Sequence, residues 1–234
     1  MWAIVPIKHF ELAKARLAPV LTPEQRRDLM RAMATDVLES LAATRGIERI
    51  LVVSSEPEID ALAHSVGAEV VADDGQGLNA AVAKGARIAA EADADGVLIV
   101  HGDLPLAQAN AFAAILAAHG EAPAVTVVPD GREDGSNCLA CSPPQAIDFH
   151  FGRASCSAHL AAARARGIEP LKLALPGLAL DIDCAEDIAV LLAAEHDGRS
   201  VALLRASGIA SRVIRTTMQD SAPVQVSAKL GGSA

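Results

Sequence analysis

Three aspartates and three cations are the residues whose types and spacing could do chemistry. Asp103 follows the apolar run Val97–Val100 directly, in the segment His101-Gly102-Asp103-Leu104-Pro105. Asp181 and Asp183 flank Ile182, and in an extended segment such an i, i+2 pair points to one side. Carboxylates held side by side repel each other unless a cation lies between them. Together with Asp103 they make an all-oxygen donor set suited to Mg²⁺. The competing role for Asp181 and Asp183 is capping a helix that begins near Ala185, which accounts for one of them better than for both. Lys8, Lys14 and Arg16 lie between a strand end and a helix start. A cluster of this kind can hold a triphosphate, whereas the usual fate of single Lys and Arg residues is a solvated loop.

Two further groups carry less specific signals. In Gly75-Gln76-Gly77-Leu78-Asn79-Ala80, the glycines at Gly75 and Gly77 let a ligand approach the backbone. Asn79 there offers a donor and an acceptor to a base or ribose. The same stretch fits a dinucleotide fingerprint formally, but two βα units precede it, and that fingerprint normally opens its fold. Ser136-Asn137 and Phe151-Gly152-Arg153-Ala154-Ser155 form the second group. Gly152 ahead of Ser155 at a helix start suits an anion nest, and Ser155 also reads as a plain N-cap. His159, one turn into that helix, reads as a structural histidine.

These residues need a frame that brings strand ends together, and the hydrophobic pattern supplies one. Strands are predicted over Trp2–Ile7, Ile50–Val53, Glu69–Ala72, Val97–Val100, Ala124–Val128, Asn137–Ala140 and Leu171–Leu175. Helices are predicted between them. One starts at the capping box Thr22-Pro23-Glu24-Gln25, carries the stripe Leu29, Met33, Val37, Leu41 and ends at Gly46. Others span Pro57–Val66, Leu78–Ala92, Ala107–His119, Cys156–Arg166 and Ala185–Ala194, the last clear helix. Alternation of this kind predicts an α/β three-layer sandwich, Rossmann-like, with a mostly parallel central sheet. Ligands of such sheets bind beyond the carboxyl ends of the strands, where the aspartates and first-loop cations fall. The pattern fades after Arg205, so the reading is one domain over 1–205 and an appendage or tail over 206–234.

Composition narrows the partners. The 234 residues are 51% hydrophobic but only 2% aromatic, so the core must be aliphatic and base stacking is a poor mode of recognition. A net charge of −9 argues against a nucleic-acid backbone as partner. No stretch approaches the length of a membrane span, and the N-terminal apolar run is too short for a leader. A cytoplasmic location with four free thiols is expected. Cys138-x-x-Cys141 lies in a strand-like stretch that would turn the two side chains to opposite faces, away from a shared metal.

Taken in order, the motifs resemble the 2-phospho-L-lactate guanylyltransferase family of the coenzyme F-420 pathway, whose members also include phosphoenolpyruvate and 3-phospho-D-glycerate guanylyltransferases. The matching segments are Val5-Pro6-Ile7-Lys8, Ala13-Lys14-Ala15-Arg16-Leu17, Gly77-Leu78-Asn79-Ala80-Ala81 and Gly102-Asp103-Leu104-Pro105-Leu106. Ser136-Asn137, Phe151-Gly152, Ser155, His159 and Leu180-Asp181-Ile182-Asp183 complete them. The resemblance implies a nucleotidyltransferase fold, GTP as donor, and Mg²⁺ on Asp103, Asp181 and Asp183. It implies that Lys8, Lys14 and Arg16 face the triphosphate, that Asn79 and its loop meet the nucleoside, and that Ser136, Gly152 and Ser155 hold a small phosphorylated carboxylic acid. The class admits a homodimer. The chain departs from the family's frequent residues at Ser136 (often Thr), Cys156 (often Phe) and Cys184 (often Thr), the two cysteines lying beside the acceptor and metal positions. Sugar-phosphate and molybdenum-cofactor nucleotidyltransferases are the nearest alternatives, but their Gly-rich first loop is absent between Trp2 and Arg45. A dinucleotide-dependent oxidoreductase leaves the paired aspartates unexplained. A nonenzymatic nucleotide-binding module remains the third alternative.

Overall fold

A computed structural model of the chain describes residues 1–8, 10 and 14–213. Seven strands form one sheet: β1 (Trp2–Ile7), β2 (Arg49–Ser54), β3 (Glu69–Ala72), β4 (Val97–Val100), β5 (Ala124–Pro129), β6 (Ser136–Ser142) and β7 (Leu171–Lys172). Their order is β3-β2-β1-β4-β6-β5-β7. Every pairing is parallel except those of β6, which runs against both β4 and β5. The helices are α1 (Pro23–Ala42), α2 (Ile59–Ser65), α3 (Leu78–Glu91), α4 (Ala109–Ala118), α5 (Ser155–Ala165), α6 (Pro176–Ala179), α7 (Ala185–Ala193) and α8 (Arg199–Ala206). No helix among the described residues is long and apolar enough to cross a membrane.

The period-two alternation of the strands builds two cores and hence three layers. Ala3, Val5, Leu98 and Val100 face one side with Leu29, Met33, Val37 and Leu41 of α1. Trp2, Ile4, Val97 and Ile99 face the other with Ala81, Val82, Ala86 and Ala89 of α3. At Gly85, α3 lies so close to β1 that a Cβ would stand 2.8 Å from Ile4 Cγ2. Cys138 belongs to the first core and Cys141 to the second, so the pair is split across the sheet as its spacing requires.

The elements depart from the sequence pattern in a few places. The capping box at Thr22 and Gln25 is present, but α1 ends at Ala42, and Gly46 supplies a φ of +98° in the turn that follows. The run Leu171–Leu175 pairs only at its first two residues before Pro176 opens α6. A helix, α8, follows the one expected to be last, and beyond it Ile209 and Val213 are fully buried in the first core. Its start carries no local cap. Asp36 of α1 accepts from Arg199 N (2.8 Å), Ser200 N (3.0 Å) and Ser200 Oγ (2.7 Å), a cap supplied from a distant helix. Residues 214–234, most of the expected tail, lie outside the described residues, as does Ala13 of the first-loop motif.

Candidate active site

The carboxyl ends of β1 and β4 open onto a pocket of about 320 Å³. It is lined by Lys8, Lys14, Leu78, His101, Asp103 and Asp183, among others. The first loop reaches it because Lys14 takes a left-handed backbone (φ 59°) and caps a 3₁₀ turn over Ala15–Leu17. Leu17 is buried beneath, anchoring the turn, while Lys14 turns inward.

Lys14 Nζ donates to Asp103 Oδ2 at 2.5 Å and to Asp183 Oδ1 at 2.7 Å. Its side chain is 8% exposed. Burial alone would lower the ammonium's pKa, but the two carboxylates outweigh it and hold Lys14 above the usual lysine range. Burial would likewise raise Asp103, yet the charge of Lys14 and its hydrogen bond keep it below the usual carboxylate range. Lys14 is thus the cation between Asp103 and Asp183, not between the i, i+2 pair Asp181 and Asp183. Among the described residues, Asp181 has no comparable partner. Burial first, then the charges of Asp103 and Asp183, push it up to about 6. Asp103 Oδ1 and His101 Nε2 are buried without a hydrogen-bond partner among the described residues. Burial keeps His101 below the ordinary histidine value, so the ring is neutral near pH 7.

The helix-capping alternative for the aspartate pair is answered by α7 itself. Asp187 Oδ2 accepts from Asp183 N and Cys184 N, each at 2.8 Å, and from Cys184 Sγ at 3.1 Å. Cys184 and Asp187 therefore form the cap, which leaves the Asp183 side chain for Lys14. Among the described residues, no three His, Cys, Asp or Glu side chains form a ready-made metal cage. The donor set still fits Mg²⁺. That ion keeps several waters and takes one or two carboxylates plus substrate phosphates, and the unpartnered Asp103 Oδ1 is a hard oxygen of the required kind.

A second pocket of about 500 Å³ shares Asp183 with the first. Gly152, Arg153, Arg132, Arg16 and Asp181 are among its lining residues. Gly152 has a φ of +134°, a conformation that side chains rarely adopt, and it turns the chain into α5. The Asp130 carboxylate accepts from the amides of Arg132, Asp134 and Gly135 at 3.0–3.1 Å and so braces the 130–135 turn, which also lines this pocket.

The other sequence-selected residues fall into two groups. Lys8 and Leu78 line the first pocket, and Gly77 precedes α3 with a φ of +95°. Ser136, Asn137 and Ser155 are buried behind the second pocket. Ser155 Oγ accepts from Ser136 N at 2.9 Å, and Asn137 Nδ2 donates to Leu178 O at 2.9 Å. His159 Nε2 accepts from His150 N at 2.9 Å, so its proton sits on Nδ1, 3.0 Å from Ser136 Oγ. Burial and the neighbouring His150 and His101 press His159 down to about 4. Asn79, expected at the nucleoside, spends both ends of its amide on the backbone of Phe151. His101 and Arg153 stand inside segments picked out from sequence but carry no role there, and Arg132 is not picked out at all. The available signal was position, since each follows a strand or flanks a motif already chosen.

Residues 1–225 match the family described as guanylyl transferase CofC like. The phosphoenolpyruvate guanylyltransferase of Rubrobacter xylanophilus is 39% identical over 191 residues, 82% of this chain and 93% of that one. The 2-phospho-L-lactate guanylyltransferase of Methanothermobacter thermautotrophicus is 32% identical over 191 residues, 81% of this chain and 83% of its own. A solved nucleotidyl transferase from Methanothermobacter shares the fold at a TM-score of 0.59 and 18% identity, covering 87% of this chain and 97% of that one.

Proposed function

The chain belongs to the CofC-like guanylyl transferase family, and on that premise we propose that it transfers GMP from GTP to a small phosphorylated carboxylic acid, releasing diphosphate, as a step of coenzyme F-420 biosynthesis. The observation that carries the reading is the meeting of two pockets at Asp183, one lined by Lys8, Lys14 and Asp103, the other by Gly152 and Arg153. Phosphoenolpyruvate is the first candidate acceptor, because the relative so named stands at 39% identity against 32% for those named for 2-phospho-L-lactate and 3-phospho-D-glycerate. A cytoplasmic location and a homodimer belong to the same reading, the former supported by four unpaired cysteines.

In the proposed reaction an oxygen of the acceptor's phosphate attacks the α-phosphorus of GTP. The bond from that phosphorus to the bridging oxygen breaks, and its electron pair leaves with diphosphate. An ionised phosphate needs no general base, so the barrier lies in gathering negative charge and aligning it. Lys8 and Lys14 face the triphosphate, and Lys14 can keep one carboxylate bond while giving an N–H to phosphate. Arg16, Arg132 and Arg153 face the acceptor, whose phosphate and carboxylate suit the guanidinium fork. Asp103, Asp181 and Asp183 would hold Mg²⁺, which when bound neutralises phosphate charge. Diphosphate release from GTP with each of the three acceptors, with and without Mg²⁺, tests the reading. Mg²⁺-dependent release with at least one acceptor is expected. Release with sugar phosphates instead, or with no acceptor under any metal, would overturn it.

A further inference from the structure

Asn79 is held in a way that base or ribose recognition does not require. Its Oδ1 accepts from Phe151 N at 2.7 Å, and its Nδ2 donates to Phe151 O at 3.1 Å. A side-chain amide that pairs with both backbone groups of one residue imitates a rung of sheet pairing. The rung joins segments 72 residues apart, the first turn of α3 and the loop before α5. The Phe151 ring is fixed as well, at 5.2 Å from the His101 ring and 4.7 Å from the His159 ring. The two residues that follow, Gly152 and Arg153, line the second pocket. The residue just before Asn79, Leu78, lines the first.

We propose that Asn79 is a positioning residue for the acceptor: by clamping the Phe151 backbone it sets the Gly152–Arg153 wall of the second pocket and ties that wall to the nucleotide-side start of α3. The inference rests on the assignment of the two pockets to GTP and to a phosphorylated acid. A wall of exposed loop residues gains its definition from the bonds behind it, and a ligand that binds a loosened wall must order it again. The loss of two backbone bonds should therefore weaken acceptor binding about tenfold, with a much smaller effect on GTP.

The test compares wild type with Asn79→Ala and Asn79→Asp, the latter keeping an acceptor for Phe151 N–H but losing the donor to Phe151 O. Phosphoenolpyruvate binding is measured by calorimetry on protein loaded with a GTP analogue that carries a methylene bridge between the α and β phosphorus atoms. Steady-state KM values for both substrates and amide exchange at Phe151 complete the comparison. The expected result is faster exchange at Phe151, a roughly tenfold weaker acceptor in Asn79→Ala, an intermediate value in Asn79→Asp, and a GTP KM within about threefold of wild type. If Asn79→Ala fails to fold, the Asn79→Asp values decide alone. A rise in GTP KM with acceptor binding unchanged would overturn the inference and return Asn79 to the nucleoside. An exposed Phe151 amide with unchanged acceptor binding would overturn it too, as would a wild type that binds no acceptor. Acceptor binding without diphosphate release would instead defeat the proposed reaction and leave the clamp to stand on the binding data.

Discussion

The two pockets meet at one aspartate, yet they are built on opposite terms. The pocket at the ends of β1 and β4 is organised by buried charge, with Lys14 at 8% exposure and Asp103 at 19%. The pocket beside Gly152 carries its cations on exposed arms, its Arg16 side chain being 78% exposed. Side chains bonded to backbone hold the segments that line it, Asp130 within its own turn and Asn79 at Phe151, the residue before Gly152. On the proposed reading, fixed charge meets the triphosphate, where the same groups react whatever the acceptor. A braced backbone with adaptable arms meets the acceptor, which is the part that differs among the named relatives. Fixed charge of this kind lowers a barrier because it needs no reorganisation when charge develops.

The largest effect should come from the centre of the charged pocket. Asp103→Asn keeps the shape of the side chain but removes its charge, and turnover should fall about a hundredfold to a thousandfold. Thermal unfolding should remain cooperative, because Lys14 retains Asp183 as a partner. Near-normal turnover at saturating Mg²⁺ would break the comparison at its root.

Lys14→Met should come next, with kcat/KM for GTP down about tenfold to a hundredfold. It should also lower the melting temperature measured in EDTA, since Asp103 and Asp183 are left facing each other without a cation. Added Mg²⁺ should restore more of the lost stability in this variant than it adds to wild type. Equal Mg²⁺ responses in the two proteins would mean that Lys14 and the ion do not share a place.

The parts of this arrangement that were legible in sequence are those set by local pattern. β1, β3 and β4 begin and end where the sequence pattern places them, and the Thr22–Gln25 box marks α1 because all its residues lie within one turn. The aspartates were legible because strand ends in a parallel sheet converge whatever the loops do. What could not be read is pairing at long range. The bond from Lys14 to Asp103 spans 89 residues, and the cap that Asp36 gives α8 spans 163 and 164. The bonds of Asn79 to Phe151 were hidden for a different reason. An amide's donor and acceptor suit a nucleoside and a backbone equally, and composition does not say which is within reach. The cap that Cys184 makes was not read because thiols are rare caps, although Asp187 stands at the position a capping box requires.

Arg16 gives the finest test of the contrast, because sequence treats it as the twin of Lys14. The two lie two residues apart, on either side of Ala15. Structure separates them. Lys14 is buried with bonds of 2.5 and 2.7 Å, whereas the nearest Arg16 nitrogen stands 3.9 Å from Asp183 Oδ2. An exposed pair at that distance contributes about 0–1 kcal/mol, and salt screens it. Arg16 also lines the second pocket rather than the first. Arg16→Gln should therefore change kcat/KM for GTP by less than about threefold and raise the acceptor KM by a similar small factor. Its effect should shrink as ionic strength rises, while that of Lys14→Met persists. Steady-state kinetics at low and high salt would separate the two. A salt-insensitive tenfold loss toward GTP in Arg16→Gln would mean that the first loop moves as a unit onto the triphosphate, and that the division between a pocket of buried charge and one of exposed arms does not hold in the reacting enzyme.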